Sequence, residues 1–202
     1  MTEIYLIRHG ITAANLNKIF AGRSQEPLHA DGITQIESVG RQLVPKNIRS
    51  IVSGPLPRTT QTAGILSRIT GAGIVIDQRL NEILIPHWDG CTKDELRERF
   101  GNEYPHWLSQ PEKFELPDCE TLYAVQQRAV EAAEQIFQIN TRQNTLIVSH
   151  LIPLRCLLLH YRDLPMKDFR SISFDNGAVI RLSREKDGQT TVDTIHPPAE
   201  HT

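Results

Sequence analysis

The feature that most constrains this chain is a short apolar run, residues 4–7, that ends at Arg8, His9 and Gly10. A continuous apolar run bounded by a turn residue predicts a strand buried on both faces of a parallel sheet. In open α/β sheets, ligands bind outside the carboxyl ends of such strands, so Arg8 and His9 are expected at a ligand-binding edge. The alternative is an exposed pair at the start of a loop, because so short a motif is frequent by accident.

Two further apolar runs lead to side chains of the same kind. Residues 48–52 run into the turn before Arg58, and residues 145–148 run into His150. If the three strands are parallel neighbours, their ends converge on one crevice. One arginine guanidinium group can donate two parallel hydrogen bonds to two oxygens of a phosphate. A phosphoryl group in transfer is stabilised by positive charges held at fixed positions. The three strand ends therefore predict a site for phosphoryl chemistry.

Segments of helical periodicity alternate with these runs. Apolar residues recur at helical spacing in most of these segments. In one further segment, a capping box formed by Thr92 and Glu95 predicts the start of a helix. The predicted helices cover 33–43, 58–69, 92–100, 122–139 and 151–160. The alternation predicts an α/β fold, a three-layer α/β/α sandwich with a mostly parallel sheet. Two final strands, 179–182 and 190–195, are expected to supply its antiparallel edge strand.

Composition limits the partners of the chain. It has 202 residues, 39% of them hydrophobic, which predicts a single domain over 1–202 with a mobile tail at 196–202. The formal net charge is −2 with both signs mixed throughout, so neither a basic face for nucleic acid nor a polybasic arm for membranes is expected. The expected partner is a small anion, and self-association as a homodimer is left open.

Cysteine usage and the first residues bear on location. The three cysteines show no metal-ligand spacing, so neither a disulfide framework nor a zinc site is predicted. The apolar run before Arg8 is too short for a signal peptide, and no apolar stretch is long enough to cross a bilayer. We therefore expect a reducing, cytoplasmic location and neither metal nor cofactor.

Short motifs extend over nearly the whole chain. In order they are Arg8-His9-Gly10-x-Thr12-x-x-Asn15, Gly22-x-x-x-x-Pro27-Leu28, Ser53-x-Pro55-Leu56-x-Arg58, Glu82, Trp88-x-Gly90 and Ser149-His150. This series resembles the histidine phosphatase superfamily, the phosphoglycerate-mutase-like family of phosphatases and mutases. The resemblance implies an enzyme of the small phosphatase branch of that family.

The resemblance also implies a role for each catalytic residue. His9 would be the nucleophile that becomes phosphorylated. Arg8, Arg58 and His150 would hold the phosphate, and Glu82 would be the proton donor. This chemistry requires that His9 be neutral with one ring nitrogen free, and nearby cations lower its pKa accordingly. The other ring nitrogen needs an acceptor, for which a backbone carbonyl near Gly10 is a candidate.

Further positions are implied in binding the substrate. Asn15 and Gly22 would lie at the pocket wall beside the phosphate-holding residues. Position 151 departs from the family pattern, because Leu151 stands where Gly is common and would add apolar bulk beside the phosphate.

The expected function is that of a metal-independent phosphomonoester hydrolase that acts through a phosphohistidine on a small phosphorylated metabolite. A phosphomutase is the first alternative, and the acidic residues between Glu82 and His150 favour hydrolysis over it. A phosphatase for α-ribazole phosphate or a sugar phosphate is another alternative. A binding module without catalysis is disfavoured, because no catalytic group is lost.

Several residues permit two interpretations. Asp118 and Glu120 would pair with an ammonium group if they lay near the pocket, which favours phosphoserine as the substrate. Alternatively, Asp118 or Thr121 caps the following helix. Trp88, with His87 beside it, either walls the leaving-group side or packs in the core. Arg155 either supports the site or faces solvent, and support is favoured. Asn176 either belongs to a turn or approaches the pocket, and the turn is favoured.

Overall fold

A computed structural model describes residues 2–139 and 143–196. These residues form a six-stranded sheet with the order β3-β2-β4-β1-β5-β6. The strands are β1 (Thr2–Arg8), β2 (Ile48–Ser53), β3 (Gly73–Ile76), β4 (Asn144–Ser149), β5 (Val179–Arg184) and β6 (Thr190–His196). The first four strands are parallel to one another, and β5 and β6 each run antiparallel to their neighbours. The predicted α/β architecture with an antiparallel edge is therefore confirmed.

The helices alternate with the strands as the periodicity predicts. They are α1 (Ala13–Leu16), α2 (Ala30–Leu43), α3 (Pro57–Thr70), α4 (Lys93–Arg99), α5 (Glu103–Ser109), α6 (Leu122–Ile139) and α7 (Leu151–Tyr161). Thr92 caps α4 with the reciprocal bonds of a capping box to Glu95. Helix α5 was not predicted. Its N-terminus has no side-chain cap, and its buried Tyr104 and Trp107 indicate that tertiary packing stabilises it.

The sequence of strand β1 is continuously apolar because both of its faces are buried. Ile4 and Leu6 pack into a core shared with α6 and α7, whereas Tyr5 and Ile7 pack into a second core with α2 and α3. Both faces of the sheet are thus covered by helices, as in a three-layer sandwich. Burial of each such side chain contributes about 1.5–3 kcal/mol.

The register of the sheet brings three strand ends to one edge. Arg8 pairs with Ser149, and Ser53 pairs with Val148, so β1, β2 and β4 end side by side. The backbone amide of His9 donates to the carbonyl of Ser149 at 3.1 Å, which extends the pairing into the site. Residues 8, 9 and 150 therefore lie next to one another.

The remaining expectations concern membranes and the C-terminus. No described helix combines the length and the apolar composition that a bilayer crossing needs. Strand β6 includes His196. The predicted mobile tail otherwise falls on 197–202, which lie outside the described residues.

Candidate active site

An open cavity of about 430 Å³ lies at the carboxyl edge of the sheet. Seven of the eight residues predicted for the site line it, and they are Arg8, His9, Asn15, Gly22, Arg58, Glu82 and Leu151. The eighth, His150, is fully buried, and its ring packs edge-on to the ring of His9 with centroids 5.3 Å apart. The structure thus brings together residues from five separate segments of the chain.

His9 is held in one tautomer. Its Nδ1 lies 2.8 Å from the carbonyl oxygen of Gly10. A carbonyl oxygen only accepts, so Nδ1 carries the proton and Nε2 keeps its lone pair. Burial, followed by the charges of Arg8 and Arg58, holds the pKa of His9 well below 6.5. The imidazole is therefore neutral at physiological pH, with Nε2 available as a nucleophile.

Three buried cationic or imidazole groups surround His9. Arg8 donates to the carbonyl of Phe174 at 3.0 Å, and Arg58 donates to the carbonyls of Gly22 and Ser24 at 2.6 and 3.0 Å. These bonds fix the planes of the guanidinium groups. Burial lowers the pKa of Arg8 to about 10, which leaves it charged at neutral pH.

The same groups keep nitrogens without a partner. Within the described residues, no hydrogen-bond partner is found for Nε of Arg8, Nε of Arg58 or either ring nitrogen of His150. An unsatisfied buried polar group costs about 1–3 kcal/mol. Oxygens of a phosphoryl group would satisfy such donors, so we call Arg8, Arg58 and His150 the phosphate cradle.

Gly22 permits the loop that holds Arg58. Its φ is +46°, in the left-handed region. A Cβ at this position would collide with the carboxylate of Asp89. Asp89 in turn accepts from the backbone amide of Arg23 at 3.2 Å. Any larger residue at position 22 would therefore strain this backbone and push against Asp89.

Glu82 also lines the cavity. Burial raises its pKa, although the backbone amide of Ile83 donates to Oε1 at 2.8 Å and Arg58 and Arg8 favour the charged form. A carboxyl group with a raised pKa can hold a proton until a leaving group needs it.

The backbone around Glu82 is held by an arginine from α6. Arg128 donates to the carbonyl oxygens of Arg79, Asn81 and Glu82 at 2.6, 2.6 and 3.1 Å. Its Nε also donates to Glu120 at 3.0 Å. Arg128 therefore holds the backbone of residues 79–82 beside the acid.

Glu120 completes this arrangement. Its Oε2 accepts from the backbone amide of Leu84 at 2.9 Å and from Arg23 at 2.8 Å. Arg23 donates as well to the carbonyl of Glu82 at 2.9 Å. We call Arg23, Glu120 and Arg128 the acid clamp.

The structure decides between the alternatives left open for the segment before α6. The carboxylate of Glu120 is engaged in the acid clamp, and neither it nor Asp118 lines the cavity. Asp118 is exposed. Thr121 accepts from the amide of Ala124 at 3.2 Å and caps α6, so the capping interpretation holds for Thr121. Asp118 and Glu120 are therefore not placed to bind an ammonium group of a ligand in the cavity.

Trp88 packs in the core. It is fully buried and lies edge-on against the rings of Phe20, Tyr104 and Trp107. It does not line the cavity. The packing interpretation is therefore the right one for Trp88.

Asn176 has a larger part than its turn sequence indicated. Its side-chain amide donates to the carbonyl of His9 at 2.9 Å and to Asn15 at 3.1 Å, and it lines the cavity. Arg155 lines the cavity as well, as expected of a supporting residue. Two lysines, Lys18 and Lys93, were not predicted. An isolated bridge between Ile19 and Thr92 brings them together, and no local motif signals that pairing.

Known proteins are similar to this chain over most of its length. A family model for the histidine phosphatase superfamily (branch 1) matches residues 4–195. A Hydrogenobacter thermophilus protein with the provisional name "phosphoserine phosphatase 2" is 28% identical over 192 residues, 95% of this chain and 94% of that one. "Probable phosphoglycerate mutase GpmB" of Citrobacter koseri is 30% identical over 186 residues, 92% of this chain and 86% of that one. The solved structure of Bacillus stearothermophilus YhfR has a TM-score of 0.91 at 28% identity and covers 96% of each chain.

Proposed function

Because this chain belongs to the histidine phosphatase superfamily and is a phosphatase, we propose that it hydrolyses a small phosphate monoester through a phosphohistidine on His9, without a metal ion. The observation that carries the proposal is the state of His9. Its Nδ1 is tied to Gly10, and its Nε2 is unprotonated beside buried arginines.

In the first step, Nε2 of His9 attacks phosphorus and the bond from phosphorus to the ester oxygen breaks. Glu82 gives its proton to the departing oxygen, so the alcohol leaves neutral. Arg8, Arg58 and His150 stabilise the charge on the non-bridging oxygens of the phosphoryl group. The products of this step are the alcohol, phosphohistidine and a Glu82 carboxylate.

In the second step, the Glu82 carboxylate takes a proton from a water molecule. The water oxygen attacks phosphorus, and the phosphorus–nitrogen bond breaks. Inorganic phosphate leaves, and both Nε2 of His9 and the carboxyl group of Glu82 return to their starting states.

Two arguments support hydrolysis without a metal ion. Positive charge at the phosphoryl group is supplied by the guanidinium groups of Arg8 and Arg58, which bind phosphate oxygens directly. The His9 tautomer is set by a backbone carbonyl, so no cofactor is needed to orient the nucleophile. Phosphoserine remains one candidate substrate, and phosphoglycerate, α-ribazole phosphate and sugar phosphates are the alternatives.

The test is release of inorganic phosphate from a panel of these esters by enzyme treated with EDTA. We expect full activity in EDTA and one ester with a dominant kcat/KM. Acid-labile, base-stable label should appear on His9 when the reaction with a ³²P ester is quenched by denaturant. Activity lost in EDTA and restored by a divalent ion would refute the metal-free step, and mutase products without free phosphate would refute hydrolysis.

A further inference from the structure

Positive charge in the cavity extends well beyond the phosphate cradle. Among the cavity-lining residues of the described chain, one is a carboxylate, Glu82, and six carry cationic groups: Arg8, Lys18, Arg58, Lys93, Arg155 and Arg170. The whole chain has a formal net charge of −2, so this concentration is local. A cleft lined by one sign of charge attracts ligands of the opposite sign.

A single phosphate does not balance these charges. A phosphate monoester carries about 1.5 to 2 negative charges at neutral pH, which Arg8 and Arg58 already match. The four remaining cations line the same cavity and are left without a negative charge on that phosphate to balance them. Holding like charges together without a counter-ion is unfavourable.

Arg155 and Arg170 are the best placed of these four. Arg155 lies on α7, one turn after Leu151, and its guanidinium carbon is 5.3 Å from the centroid of the Phe169 ring. Its Nε is buried and has no hydrogen-bond partner in the described residues. Arg170 directly follows Phe169 and is exposed. Both arginines thus adjoin Phe169 and line the same cavity. Burial lowers the pKa of Arg155, and the charge of Arg170 lowers it further.

The pair shares its cavity with the two arginines of the phosphate cradle, because Arg8, Arg58, Arg155 and Arg170 all line it. Leu151, Ile152 and Phe169 line the cavity with apolar surface. Since the cavity measures only about 430 Å³, one small ligand with a short spacer can contact both sites. Lys18 and Lys93 are exposed at the rim and are not fixed by packing in this way.

We propose that Arg155 and Arg170 form a second anion subsite, which selects phosphate monoesters whose alcohol carries a carboxylate or a second phosphate on a short spacer. This inference rests on the proposed hydrolysis, because the subsite binds the leaving alcohol. It disfavours esters whose only other charge is an ammonium group.

Matched pairs of esters test the subsite. Glycerol 3-phosphate and 3-phosphoglycerate differ only in a hydroxymethyl group against a carboxylate. The pair 3-hydroxypropyl phosphate and 1,3-propanediol bisphosphate tests a second phosphate, and phosphoethanolamine tests an ammonium group. We expect kcat/KM to favour the doubly anionic member of at least one pair by about 10- to 100-fold, as charge-assisted hydrogen bonds allow. Whichever pair shows the larger ratio identifies the anionic group.

Variants locate the effect. Arg170→Gln and Arg155→Gln should each reduce the ratio within the responding pair by about tenfold or more. Lys167→Gln is the matched control, because Lys167 is an exposed cation on the same 166–171 turn but does not line the cavity. The ratio in Lys167→Gln should equal that of the parent protein. Because each ratio compares two substrates on one protein, partial misfolding of a variant does not alter it.

The outcomes separate this inference from the proposed hydrolysis. If no ester releases phosphate, the proposed function fails. If esters are hydrolysed but both ratios are near one, or if neither arginine variant changes the larger ratio, the second anion subsite is refuted while hydrolysis stands.

Discussion

The two sides of His9 treat their polar groups in opposite ways. On one side, the acid clamp uses its donors and acceptors on the protein, and Arg128 alone donates to three backbone carbonyls. On the other side, the phosphate cradle keeps buried nitrogens of Arg8, Arg58 and His150 without a partner among residues 2–139 and 143–196. Polar groups that already have hydrogen-bond partners hold the backbone in position, whereas polar groups without partners are available to bind a ligand. The acid clamp therefore positions Glu82, and the phosphate cradle binds the substrate.

The largest effect is expected where both sides meet. His9→Ala removes the nucleophile on which the cradle and the acid both act, and activity should fall by about 10⁴- to 10⁶-fold. His160→Ala is the control, because His160 is an exposed residue on α7. Phosphate release assays measure both variants. Substantial activity in His9→Ala would mean that the two sides serve another nucleophile.

Removal of the acid should depend on the leaving group. Glu82→Gln should reduce kcat/KM for alkyl phosphates by about 10²- to 10⁴-fold. The loss for p-nitrophenyl phosphate should be far smaller, because that leaving group needs little protonation. Equal losses for the two esters would show that Glu82 is not the leaving-group acid.

Removal of a cradle arginine should not depend on the leaving group. Arg58→Ala should reduce kcat/KM by about 10²- to 10³-fold for both kinds of ester, as loss of one preorganised donor does. Arg68→Ala is a matched control on the same helix, since Arg68 is exposed and pairs with Glu37. A loss of activity confined to alkyl esters would mean that Arg58 acts on the leaving group, as Glu82 does, and not on the phosphoryl group.

A clamp variant should behave as a weakened acid variant. Arg128→Lys keeps the charge but cannot span three carbonyls, and misplacement of a catalytic group by about 1 Å costs up to about 100-fold. We expect a loss of about 10- to 100-fold for alkyl esters and a smaller one for p-nitrophenyl phosphate. If the loss is the same for both esters, or if the variant is unfolded, Arg128 serves general stability. Circular dichroism shows whether the variant is folded.

The smallest expected effect is on pH dependence. His9 acts neutral, and its pKa is lowered, so activity should fall only when the pH drops below that lowered pKa. Glu82 acts protonated, and its pKa is raised above 4.5, so activity on alkyl esters should fall as the pH rises through the raised value. A profile of kcat/KM against pH measures both limbs. Glu82→Gln should remove the alkaline limb, and its persistence would assign that limb to another group.

The cradle could be predicted from the sequence and the clamp could not. Arg8, His9 and His150 directly follow apolar strands, so local patterns place them at one sheet edge. The partners Arg23 and Glu120 are 97 residues apart, and nothing in either segment encodes their contact. The sequence therefore leaves open a position of Glu120 near the substrate, whereas its carboxylate accepts from the backbone amide of Leu84 and from Arg23.

Lys18 and Lys93 illustrate the same limit. Lys93 belongs to the predicted helix that Thr92 caps, but the cap says nothing about which loop lies opposite. The bridge from Ile19 to Thr92 pairs the two segments, and both lysines line the cavity. Periodicity predicts which face of an element is buried, whereas the pairing of distant loops depends on the assembled fold.

Around Glu82, the acid clamp forms hydrogen bonds to backbone groups and not to side chains, and this has an evolutionary consequence. Arg128 and Glu120 contact carbonyls and amides at positions such as 79 and 84, which every residue supplies except for the missing amide of proline. Substitutions there would alter the surroundings of the pocket without releasing the acid. A lineage that kept the clamp could therefore exchange one leaving alcohol for another by small steps, with the proton donor insulated from each change.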